Sequence, residues 1–132
     1  MDDHERAMLT FAKLAGLSQS RQQLGPRDKF LVLAAVAACH GLHPQVATHC
    51  RELVLAHNPA HLLKRFETIE RALAENEFQP FLKQLARFCS YEKAEHLLSQ
   101  LGLSVELPPT STPADLEAYA LKLLNCEATP PS

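Results

Sequence analysis

Ten consecutive residues, 30–39, read FLVLAAVAAC and carry no charge or amide on any side. A helix built on such a run is apolar around its whole circumference, so other elements have to enclose it. The run is about half of the roughly 20 residues that a membrane span requires. It therefore marks the centre of a water-filled world's opposite: a rod in the middle of a folded domain, with one-sided elements closing around it. A chain of 132 residues is long enough to do this as one domain without a metal or a disulfide.

The one-sided elements read as helices. A first helix over 3–15 places Ala7, Met8, Phe11, Leu14 and Ala15 on one side. The apolar rod belongs to a second, 27–40, opened by Gly25-Pro26. In the third, 44–57, Val46, Ala47, Cys50, Leu53, Val54 and His57 share a face. Asn58-Pro59 then closes that helix and opens a fourth, with Leu62, Phe66, Ile69 and Leu73 inward. A fifth, 78–89, tolerates Pro80 only in its first turn. A sixth follows Ser90 and turns Ala94, Leu97, Leu98 and Leu101 inward. Three pairs, Gly16-Leu17, Gly41-Leu42 and Gly102-Leu103, read as helix ends in which the glycine turns left-handed and the leucine folds back.

The expected fold is an all-α compact bundle of about six to seven helices around the central apolar helix, residues 27–40. Residues 1–104 form its core, and a Pro-rich linker spans 105–113. An amphipathic C-terminal helix, 114–127, follows and docks on the core through Leu116, Tyr119, Ala120 and Leu123. The last residues, 128–132, form a disordered tail.

Charge narrows the function. With 13 basic and 15 acidic residues the formal net charge is -2, without the electropositive field that nucleic-acid binding draws on. The four cysteines, Cys39, Cys50, Cys89 and Cys126, are widely spaced and mostly on apolar faces, as reduced thiols are. The acidic opening MDDHERAM lacks the apolar run of a signal peptide. A cytoplasmic protein without a membrane partner is expected.

Five of the seven histidines, His40, His43, His49, His57 and His61, fall in one short stretch with Cys39 and Cys50. Histidine and thiolate are zinc ligands, and Cys39, Cys50, His57 and His61 form a candidate set, although their spacing matches no metal motif. The competing reading is a packed helix corner whose histidines make the fold pH-sensitive. No cofactor is expected.

Helix, Gly41-Leu42, helix over residues 33–52 also suggests a helix-turn-helix, with Gln45, Thr48, His49 and Arg51 offered to nucleic acid. Only one arginine lies on that face, so nucleic acid is the lesser reading. Arg51 and His57 form R-x5-H, which resembles the short signature of HEPN ribonucleases, a family of helical bundles. Six residues turn a helix through about 240°, so such a site needs a distorted helix or a dimer.

There is no glycine-rich phosphate loop, GxSxG elbow or HExxH, and Cys39 beside His40 follows an apolar run that argues for an inert thiol. The sequence therefore leads to a non-catalytic module that binds a protein partner or forms a homo-oligomer. Its candidate interface residues are Phe78, Phe81, Phe88, Tyr91, Tyr119 and Leu123.

Overall fold

The first helix, α1 (Asp3–Ser20), opens on a reciprocal cap. The Asp2 carboxylate accepts from the Glu5 N–H at 2.7 Å, and Glu5 Oε1 accepts from the Asp2 N–H at 3.2 Å. A computed structural model describes residues 2–105 and 111–128, the last four of these as backbone alone, and every regular element among them is helical. After α1 come α2 (Leu24–His40), α3 (Pro44–His57), a short α4 (Ile69–Leu73), α5 (Gln79–Phe88), α6 (Tyr91–Gln100) and α7 (Pro113–Ala128). Two 3-10 turns, Leu62–Arg65 and Asn76–Phe78, precede α4 and α5.

The all-α class and the central place of the apolar rod are as the sequence implies. α2 packs against α1, α3 and α4. Its alanines at 34, 35, 37 and 38 are buried and short, which lets neighbouring helices approach its axis closely. The centre is double, however. α1 is also buried along most of its length, and it lies against α6 and α7 as well as α2. α7 opens on a second reciprocal cap, between Thr112 and Asp115, and packs on α1 and α3 with Leu116, Ala120 and Leu124 buried. The linker expected over 105–113 falls largely on 106–110, and the tail on 129–132, outside the described residues.

Several local expectations change. α1 does not stop at Ala15 but runs through Gly16-Leu17 to Ser20, with Gly16 buried inside the helix. All three helix ends do share one closure, in which an N–H five residues on reaches back into the last turn: Gln23 N to Ser18 O (2.8 Å), His43 N to Ala38 O (2.7 Å) and Leu103 N to Leu98 O (2.9 Å). The left-handed residues are Gln22 (φ 57°), Leu42 (φ 65°) and Gly102 (φ 71°), so only one is a glycine. Gly41 keeps a negative φ and sits in close quarters instead: a Cβ there meets Ala37 O and Glu5 Cγ, each at 3.3 Å, so a side chain would have to displace them slightly.

The expected fourth helix is broken. Asn58 Oδ1 accepts from the Ala60 N–H, His61 Nδ1 from that of Leu63, and Thr68 Oγ1 from that of Arg71, so three side chains start three local turns. Between them Phe66 is extended, and Arg51 takes its carbonyl. Finally, Leu101, expected inward, is the C-cap of α6 and stands 45% exposed, because Ala94 and Leu98 fill the inner face.

Candidate functional site

The first turn of α2 carries two charged residues into the bundle, Arg27 and Asp28. Their side chains are only 10% and 11% exposed. Burial of this kind is costly unless charges are paired and hydrogen-bonded. Arg27 Nη1 donates to Gln19 Oε1 on α1 at 2.5 Å, and Nη2 donates to the Leu53 carbonyl on α3 at 2.8 Å. Its Nε stands 3.3 Å from Asp28 Oδ1 without hydrogen-bond geometry. The other Asp28 oxygen meets His57 Nδ1 at 2.6 Å. Three helix ends are thereby stapled together. His57, expected on the apolar face of α3, is instead an exposed ring that reaches back to a buried carboxylate.

Across the Asn58-Pro59 corner, His61 is half-buried. Its Nδ1 accepts from the Leu63 N–H at 3.1 Å, and the ring stands edge-on to Phe81 with centroids 5.4 Å apart. Burial lowers this imidazole below the ordinary histidine range, and the nearby Asp28 charge opposes the shift.

The four candidate metal ligands do not converge, and among the described residues no group of three or more His, Cys, Asp or Glu side chains could hold a metal ion. Cys50 is fully buried, and burial pushes its thiol up to about 12 against the pull of Arg27. Cys39 donates Sγ–H to Glu70 Oε1 at 3.1 Å, and burial first, then that bond, raises it too. Cys89 is raised by burial. All three are free thiols, and thiols held neutral are poor nucleophiles.

Of the nucleic-acid candidates, Gln45, Thr48 and His49 line an open groove of about 350 Å³ together with Pro44, Glu52 and Leu121 of α7. Arg51 lies apart from them: Nε and Nη2 both donate to the Phe66 carbonyl, at 3.1 and 2.6 Å. Arg51 and His57 therefore serve different partners, and the R-x5-H pair forms no joint site.

The candidate interface aromatics are drawn inward to differing degrees. Phe78 is fully buried, edge-on to Phe66 at 5.6 Å and tilted on Phe81 at 5.5 Å, and it belongs to the core rather than to a surface. Phe88 is half-buried, packs on Phe30 and carries Lys29 Nζ over its ring at 4.7 Å. Tyr91 donates to Glu95 Oε2 at 2.6 Å, and burial together with that bond raises its hydroxyl to about 12. Tyr119 and Leu123 are half-buried on α7.

Two features escape a reading by helix periodicity, because both belong to the α2–α3 corner. Leu42 is 85% exposed. The next residue, His43, has a side chain only 3% exposed, with Nε2 2.6 Å from Glu5 Oε2 and Nδ1 3.9 Å from Glu117 Oε2 of α7. The Gly-Leu-His-Pro spelling of residues 41–44 announces a turn but not which side chain it buries. No protein-family model matches the chain, and comparison with curated proteins and with solved structures also returns no match.

Proposed function

We propose that the protein is a non-catalytic helical module that works by binding another protein chain or a second copy of itself. Leu42 carries this reading. A leucine in the left-handed region costs roughly 1–2 kcal/mol over an ordinary conformation, yet here it holds a large side chain in water. Two residues on, Pro44 begins the wall of the α3–α7 groove. An apolar knob beside an open groove gives each copy both halves of a contact, which two copies related by a two-fold axis can make reciprocally. The free thiols support placing the module in a reducing compartment, and among the described residues no helix is long and apolar enough to cross a membrane.

The test is sedimentation velocity across a wide concentration range, with Leu42→Gly as the variant. Glycine relieves the strain and removes the knob, so the variant should melt higher while associating less. A wild type that stays monomeric throughout, with the variant indistinguishable from it, removes the basis for self-association.

A further inference from the structure

We infer that His61 is a proton-operated latch on the corner between α3 and α5: neutral, it caps the Leu62–Arg65 turn, and protonated, it releases it. The cap is a ring nitrogen accepting from a backbone N–H, at 3.1 Å from Leu63 N. An imidazole accepts at Nδ1 only when that nitrogen carries no proton, so the observed bond requires the neutral ring with hydrogen on Nε2. Adding a proton sets one N–H against another. The bond is then not weakened but inverted, and the ring must turn away.

What the ring holds gives this consequence. Leu63, the residue it caps, is fully buried, and Phe81 of α5 rests against the ring. The turn is short and leads directly to the extended Phe66. The charge that acts on the ring is that of Asp28 on α2, which itself meets Arg27 of α2 and His57 of α3, while α5 presents the uncharged Phe81 ring. On the turn itself Lys64 and Arg65 are exposed, and Arg65 lies 3.4 Å from Glu77. Asp28 is already shared between Arg27 and His57, yet it is the carboxylate whose charge acts on His61. Protonation therefore removes the cap and also draws the ring toward α2.

The direction with pH follows. Burial holds His61 below its ordinary value of 6.5 in the closed corner. The opened corner takes the proton more readily, so closure is complete above that value and is lost as pH falls through it and below.

The experiment is amide exchange of the full chain by NMR from about pH 7 to about pH 5, corrected for intrinsic exchange, alongside the His61 ring resonances. One coupled proton changes Leu63 protection by at most about tenfold per pH unit. Protection should begin to fall below about pH 6.5, approach that slope, and keep falling until the ring has titrated. His61→Asn caps without titrating and should leave Leu63 protection flat with pH. An unchanged fall in His61→Asn overturns the latch, as does a His61 titration that leaves Leu63 unmoved. If the variant does not fold, the wild type still decides: a fall in Leu63 protection that begins near pH 6.5 and ends where the ring titrates supports the latch, and flat protection over that interval overturns it.

Discussion

Replacing Asp28 with alanine strikes the point where α1, α2 and α3 meet. The substitution removes the counter-charge 3.3 Å from Arg27 Nε and the acceptor 2.6 Å from His57 Nδ1. Breaking a buried pair by deleting one partner typically costs about 3–5 kcal/mol. Two features reduce this. Arg27 retains the Gln19 and Leu53 oxygens, and His57 can turn to water because its side chain is 36% exposed. The expected loss is about 2–3 kcal/mol, or on the order of 6–12 °C in Tm for a domain of this size. Circular dichroism melting and urea unfolding at neutral pH measure both. His57→Ala alone should cost about 1 kcal/mol, the worth of one hydrogen bond to a charged group near the surface. The double mutant should lose less than the sum of the two single losses, by up to about 1 kcal/mol, since the pair is in direct contact. An Asp28→Ala protein within about 0.5 kcal/mol of wild type, the ordinary range for surface changes, refutes the account of a staple. So does strict additivity with His57→Ala.

Further outcomes follow from single contacts. Arg51→Met should cost about 1–3 kcal/mol by orphaning the Phe66 carbonyl; if urea midpoints do not move, that carbonyl has found water. Glu5→Ala leaves the buried His43 without its 2.6 Å partner and opens the cap of α1, so stability should fall by about 2 kcal/mol or more, and an unchanged melt counts against the corner as drawn. Iodoacetamide at neutral pH should modify Cys50 and Cys89 only as fast as the bundle opens, since burial raises both thiols. Rapid native-state labelling seen by mass spectrometry would contradict this.

Much of the architecture was legible along the chain because helix burial has a period. The stripe Val46, Ala47, Cys50, Val54 is buried as its spacing implies, and Ser90, Thr112 and Pro44 start helices where their chemistry places them. The largest failure, the broken fourth helix, has a clear cause. Residues 58–75 have helical spacing in Leu62, Phe66, Ile69 and Leu73, but Arg51, from another helix, captures the Phe66 carbonyl, and His61 and Thr68 divert neighbouring N–H groups. Periodicity counts apolar side chains and does not see who claims the backbone.

The same division holds for the candidate site. The sequence alone determined that a ten-residue apolar rod must be enclosed by one-sided helices, since burying apolar surface is roughly additive and local to each face. It also showed a histidine-rich corner after that rod. Which histidine is buried on Glu5, which holds Asp28 and which caps a turn was decided only by the tertiary structure. Hydrogen bonds and ion pairs are directional and short, and residues 38 and 29 positions apart meet only when the helices carrying them have docked.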